Sequence, residues 1–302
     1  MSLFANEDIE PIVEWEKKQN AEQRLEVFGN DFLGDSIDPH TGTLAFNHTD
    51  ISLPRNSSLS VSLIRSRTSG FHYKDGTDVE FGDWTLSVPR LSVTSLTIRA
   101  WQGNRCSLST ATLLGNYSNG KTFLSSRDFS NGIQLEVPGQ GNQQLLDNNG
   151  AAIWPTNAKK VTKQNWYFTC GAASDGGEGF IGHAPNGNKY RFDKAYSIDA
   201  PLMGFIGANP MPRKVYVVAA TQVTDVNGNW VKYQYDNLNR VTSIYANDGR
   251  RINLHYSGNS KLVRSASAAG ETWRYDYSLN RYQRDEWMPL FGQALRGQSL
   301  AK

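Results

Sequence analysis

The segment Gly115-Asn116-Tyr117-Ser118-Asn119-Gly120-Lys121-Thr122 has the spacing of a phosphate-binding loop, G-x-x-x-x-G-K-[ST]. Such a loop holds phosphates with backbone N–H groups and the start of a helix. That chemistry requires a helix directly after Thr122. The residues there, Phe123-Leu124-Ser125-Ser126-Arg127-Asp128, carry no helical periodicity. The segment reads as a hairpin turning at Asn119-Gly120, with a nucleotide-binding hydrolase at residues 115–122 as the minor alternative. Gly176-Gly177-Glu178-Gly179 lacks the strand–helix frame of a dinucleotide site and reads, with residues 171–179, as a flexible connection. His40, His48, His72, His183 and His255 are scattered without metal-ligand spacing. No G-x-S-x-G elbow is present. The expectation is a protein that is not an enzyme, without catalytic, cofactor-binding or metal-binding residues, its carboxylates being solvated surface groups. Cys106 and Cys170 are the two cysteines. They could form one disulfide or remain two buried reduced thiols.

The elements around these residues read as strands and turns. Aromatics make up 11% of the 302 residues, alongside 27 Gly, a composition of sheets and tight turns and one that disordered chains lack. The formal net charge of +2 gives no field that would favour nucleic acid. No run of about 18 apolar residues exists, so no membrane-spanning helix is expected. Residues 1–27 are acidic and mixed, unlike a Sec-type signal peptide, so the expected location is the cytoplasm or export through a dedicated system. Residues 6–26 predict a helix capped by Asn6, with Ile9, Ile12, Val13, Trp15 and Leu25 as its apolar stripe. Strands are predicted at residues 43–46, 60–64, 84–88 and 134–137, and a polar loop or hairpin tip at 138–150. Pro201, Gly204, Gly207, Pro210 and Pro212 suggest a soft boundary at 200–212.

Beyond that boundary lies an internal repeat. Gly228, Gly249 and Gly270 are 21 residues apart, and Tyr235, Tyr256 and Tyr277 keep the same step. Each glycine suits a tight turn needing positive φ. The period-2 segments between them give the inward sets Val231, Tyr233, Tyr235, then Ile252, Leu254, Tyr256, then Trp273, Tyr275, Tyr277. One hairpin cannot bury such a face alone, so neighbours must stack. The aromatics also raise a carbohydrate-stacking alternative, but their regular phase favours a core.

The stretch Tyr233-Gln234-Tyr235-Asp236-Asn237-Leu238-Asn239-Arg240-Val241-Thr242 resembles the tyrosine–aspartate repeat of the Rhs family, with Asn239 where glycine is usual. Trp273-Arg274-Tyr275-Asp276 is a partial match. Upstream, Thr49-Asp50-Ile51-Ser52-Leu53-Pro54, Ile64-Arg65-Ser66 and Phe81-Gly82-Asp83-Trp84 are similar to the segment preceding such repeats in bacterial Rhs proteins. The resemblance covers about residues 28–278. It implies a spiralling β-shell around a cargo, often a toxin. The family's Asp-Pro self-cleavage boundary has no counterpart here, so that activity does not carry over.

The expected architecture is mainly β: a helical segment at 1–27, an antiparallel β-rich domain at 28–200, three stacked repeat hairpins at 213–278 continuing its sheet, and a divergent tail at 279–302. The expected role is the N-terminal wall or cap of an Rhs-like shell, a non-enzymatic structural protein. Its partners would be further repeats, a toxin cargo or a secretion component. A secreted or surface carbohydrate-binding module is the alternative. The repeat frame is lost after Tyr277, so an open sheet edge is expected there, with residues 286–296 as a candidate helical cover.

Overall fold

The computed structural model describes residues 35–37, 44–54, 58–68, 80–97, 101, 103–110, 116–118, 123–125, 130, 132–205, 208–280 and 297–300. The helices expected at 6–26 and 286–296 lie outside the described residues. What is described is mainly antiparallel β-structure with almost no helix.

A four-stranded sheet holds β1 (Asp35–Ile37), β2 (Leu44–Leu53), β3 (Val61–Thr68) and β4 (Thr85–Leu86), paired in that order. β5 (Arg90–Leu96) belongs to the large sheet. β6 (Tyr117–Ser118) and β7 (Phe123–Leu124) pair as an isolated ladder, Tyr117 opposite Leu124. Phe123 and Leu124, directly after Thr122, are therefore strand, where a phosphate-binding loop has the start of a helix. The large sheet continues with β8 (Gln134–Glu136), β9 (Gln143–Gln144), β10 (Leu146–Asp147), β11 (Lys160–Val161), β12 (Tyr167–Ala172), β13 (Glu178–His183), β14 (Lys189–Phe205) and β15 (Ala208–Thr224). It ends with β16 (Trp230–Tyr235), β17 (Val241–Ala246), β18 (Arg251–Tyr256), β19 (Val263–Ala268) and β20 (Glu271–Arg274). β10 to β20 are neighbours in chain order, and β5, β8 and β9 form a side branch on β15.

The soft boundary at 200–212 is bridged in the fold. β14 and β15 pair from Lys189 opposite Thr224 to Phe205 opposite Ala208, across the proline- and glycine-containing stretch. Register shifts between Ala200 and Phe205 accommodate the irregular residues there. Residues on both sides of the stretch belong to one sheet.

Six of the connections repeat one geometry. At Thr162–Trp166 the first N–H donates to the fifth carbonyl and the fourth N–H to the first carbonyl. The same two bonds recur at 173–177, 184–188, 225–229, 236–240 and 246–250. The fourth residue has positive φ every time: Asn165, Gly176, Gly187, Gly228, Asn239 and Gly249. This is the three-residue hairpin loop, a type I turn closed by a residue in the left-handed region. Asparagine is the non-glycine residue that best tolerates that region, which accounts for Asn239 in the glycine place. The turn series thus begins at Asn165, well before Gly228. Residues 171–179, expected to be flexible, hold one of these tight turns between β12 and β13.

Each repeat hairpin is tied to the one before it by a tyrosine. The Tyr235 hydroxyl donates to the Ala220 carbonyl at 2.9 Å, Tyr256 to Val241 at 2.8 Å and Tyr277 to Val263 at 2.6 Å. Val231, Ile252, Leu254 and Tyr275 are buried, while Tyr233, Tyr235, Tyr256, Trp273 and Tyr277 are partly buried and pack against the same core. The alternation is broken at bulges between Gln234 and Tyr235 and between His255 and Tyr256. Tyr235 consequently also touches a smaller cluster of Val215, Val217 and Ala219. The third unit departs from a continuous strand: β20 stops at Arg274, and β21 (Tyr277–Asn280) pairs with β22 (Gly297–Leu300) in a separate ladder.

The small sheet covers the repeat meander, with Ile51, Leu53, Val61, Leu63 and Phe81 in one core with Ile244, Ile252, Leu254 and Val263. Polar latches cross this interface. Asp50 accepts both Nε and Nη2 of Arg65 at 2.7 Å and the Tyr275 hydroxyl at 2.8 Å. Arg65 in turn lies 5.4 Å from the Trp84 ring and 5.8 Å from the Phe81 ring. Burial, and then the Asp50 charge, push the Tyr275 phenol well above its ordinary pKa, so it stays a neutral donor. Arg250 reaches the Leu59 carbonyl at 3.2 Å, and Ser58 donates to Asp225 at 3.1 Å.

Two expected outcomes follow for the tyrosine ties. Tyr256→Ala removes ring and hydrogen bond together and should destabilise the chain by about 3–5 kcal/mol. Tyr256→Phe removes only the donor and should cost about 1 kcal/mol. Urea unfolding of both variants checks this; a loss for Tyr256→Ala smaller than about 1 kcal/mol would overturn the core assignment.

Candidate functional site

Among the described residues, a cleft of about 780 Å³ lies over β14 and β15, lined by Trp101, Arg105, Asp175, Ser197, Lys214 and Tyr216 among others. Its floor is set by register. Ser197 pairs with Tyr216 and Asp199 with Lys214, so these four side chains share one sheet face. Tyr196 and Val217 sit on the opposite face by the same alternation. Ser197 is exposed and Tyr216 half-buried. Burial raises the Tyr216 phenol pKa. Lys214 reaches Asp199 at 3.6 Å, and both remain substantially exposed.

The walls are the loop 101–110 and the turn 173–177. Trp101 is buried, its ring centroid 5.7 Å from that of Phe180, and its indole N–H donates to the Arg105 carbonyl at 3.3 Å. Arg105 is 3% exposed and pairs with Asp175 at 2.5 Å. Its Nε is the one buried side-chain polar atom without a hydrogen-bond partner among the described residues, a cost of about 1–3 kcal/mol. Gly177 makes room for this guanidinium: a Cβ there would meet Arg105 Nη2 at 2.4 Å and the Gly103 carbonyl at 3.1 Å. A side chain at Gly177 would displace the guanidinium, whereas the space beside Gly176 is open and its positive φ is what favours glycine there.

The loop carries little regular structure of its own and is clamped from three directions. Cys106 and Cys170 are joined as a disulfide, with Cα atoms 5.6 Å apart, settling the two alternatives left by sequence. Glu178 Oε2 accepts the Cys106 and Ser107 N–H groups at 2.9 and 2.8 Å. Lys160, 1% exposed, donates to the Leu108 carbonyl at 2.6 Å, to the Thr110 hydroxyl at 3.3 Å and to Asp147. Asp147 also accepts the Thr110 N–H and hydroxyl. Burial pushes the carboxyls of Asp147, Asp175 and Glu178 up, but their hydrogen bonds outweigh it. Lys160 and Thr110 act on Asp147, Arg105 and the Gly177 N–H on Asp175, and Ser107 and Cys106 on Glu178. All three end below the ordinary carboxylate value.

Cys106, Cys170 and Glu178 bring potential metal-ligand atoms within 4.8 Å of one another. The sulfurs are bonded to each other and the carboxylate is engaged by two amides, so this set offers no thiolate to a metal ion. The predicted repeat residues line a different region. They build the core between the small sheet and β16 to β20, and the structure does not gather them into a cleft. The cleft residues carry no motif; the sequence signals were the two cysteines and the Gly176-Gly177 pair. No protein-family model and no curated protein sequence matches this chain.

The clamp generates two expectations. Lys160→Met strands Asp147 and the Leu108 carbonyl and should cost about 3–5 kcal/mol, with Lys160→Met/Asp147→Asn recovering part of it. The three carboxylates have folded pKa values below their unfolded ones. Their contribution is thus complete above the ordinary carboxylate range and lost as pH falls through the depressed values. Thermal unfolding across an acid series should show the midpoint falling there, and Asp147→Asn should flatten that fall.

Proposed function

We propose that this chain is a non-enzymatic structural and interaction protein, the N-terminal wall or cap of an Rhs-like β-shell. The single observation supporting this reading is the way hairpins are added from β15 onward. The first three connections after β15 use the same turn, and the tyrosine hydroxyl of each repeat hairpin donates to the preceding one. An assembly rule that depends only on the previous unit can be extended by any chain that repeats it. Arg240 belongs to the same rule: it pairs with Asp236 in its own turn at 2.7 Å, donates to the Gly258 and Ser260 carbonyls of a later turn at 2.7 Å, and covers the Tyr256 ring at 4.6 Å. Of the positions through which the sequence resembles the tyrosine–aspartate repeat, Tyr and Arg make contacts between units and Asp236 holds Arg240 within its own turn.

The place for extension is β20. One side of it pairs with β19, and among the described residues no strand pairs with the other side. The Tyr275 N–H bonds inward to the Arg264 carbonyl; by alternation the Thr272 and Arg274 N–H groups face away. A row of free donors and acceptors on an exposed edge favours strand addition. In this role the chain would close one end of a cavity built with further repeats and enclosing a toxin or another cargo.

Light scattering on the purified chain across a concentration series provides the test, with a protein carrying further tyrosine–aspartate hairpins as the second component. Association is expected, and Thr272→Pro, which removes an outward donor without breaking the β19 ladder, should weaken it. A monomer at every concentration that also ignores the repeat partner would overturn the proposal.

A further inference from the structure

We infer that the cleft over β14 and β15 is a binding site for a neutral saccharide, a function separate from any wall or cap role. The inference starts from what the cleft offers together. Tyr216 presents a half-buried aromatic ring on the floor, with the short, exposed Ser197 opposite it on the neighbouring strand. A sugar ring has an apolar C–H face that suits an aromatic plate and a rim of hydroxyls that each donate and accept.

Polar partners for such a rim stand on two sides. Arg105 and Asp175 form one ion pair on the wall, with Asp175 the outward end: its side chain is 45% exposed against 4% for Arg105. The Arg105 bond and the Gly177 N–H help to hold the Asp175 carboxyl ionised and turned in place, so it is a fixed acceptor. Lys214 and Asp199 form a second, looser pair beside the floor, supplying mobile donors and acceptors. Each cation faces a carboxylate, so the site carries no unbalanced charge that would select an anion or a cation. A purely apolar ligand would leave both pairs desolvated without new partners. A polyhydroxylated neutral ring satisfies them and uses the tyrosine.

Preorganisation supports the same reading. The loop forming the wall is fixed by the disulfide, by Glu178 on two amides and by buried Lys160. The Arg105 guanidinium is held against Asp175 on this wall, with its Nε buried and without a hydrogen-bond partner among the described residues. A volume of about 780 Å³ falls in the range of ligand clefts.

The test is saturation-transfer NMR on the full chain with lactose, maltotriose and diacetylchitobiose, using a glucuronate-containing disaccharide and glycylglycine as charged comparators. Transfer to the ring C–H protons of at least one neutral saccharide is expected. Ser197→Trp, a change at an exposed position that fills the cleft, should abolish it. Tyr216→Leu should weaken it about tenfold, the value of one aromatic contact. Circular dichroism confirms that each variant is folded, and Ser197→Trp carries the test if Tyr216→Leu is not. Binding of only the charged comparators, binding that survives Ser197→Trp, or no transfer from any neutral saccharide would overturn the inference.

Discussion

A strand of seventeen residues has two long rows of backbone donors and acceptors, and both rows of β15 need partners. β14 covers one row along nearly its whole length. The other row is shared: β5 takes Arg213 to Ala219, and β16 takes Gln222 to Thr224. This division organises the molecule. It sends one arm of the sheet through β5, β8 and β9 and the other through the repeat hairpins. Where the arms part, Thr221 donates to Asp193 at 2.6 Å, and Asp193 also pairs with Arg191. Near the branch the small residues Ala219 and Ala220, both 0% exposed, fill the two separate buried clusters on opposite faces of the sheet.

From the branch onward, growth of the sheet is local. The turn closes on itself, Asp225 or Asp236 accepts the N–H groups that follow it, and the tyrosine hydroxyl reaches back to the previous unit. The tyrosine contacts are short in sequence and recur from unit to unit, the condition under which stability accumulates from neighbour to neighbour. The four-stranded sheet adds the long-range element. Its Asp50–Arg65 pair and the Ser58 and Leu59 contacts lock onto Tyr275, Asp225 and Arg250, joining residues more than 160 positions apart.

The loop 101–110 obeys a different economy. It buries two cations, Arg105 and Lys160, each of which would be intolerable without a carboxylate partner. Asp175 comes from a hairpin turn and Asp147 from β10, so the loop is anchored to two separate parts of the large sheet. A structural clamp of that kind also gives the adjoining cleft fixed walls.

Repetition was readable in the sequence wherever one residue type was needed at each step. Gly228, Gly249 and Gly270 had to be glycine or nearly so because of their positive φ, and the tyrosines had to reach a carbonyl at a constant distance, so both left a 21-residue signature. The earlier turns at Asn165, Gly176 and Gly187 were missed because the strands between them bury Phe168, Phe180 and Phe192 in a different frame. The sequence by itself therefore determined the antiparallel β character and the 21-residue spacing of glycine and tyrosine, both of which are set by local backbone and periodicity. Only the tertiary structure decided that strand pairing would bridge residues 200–212, that Cys106 would meet Cys170, and that Arg105, Asp175, Ser197 and Tyr216 would share a cleft. These depend on which distant strands share an edge of β15, and no local spacing encodes that choice.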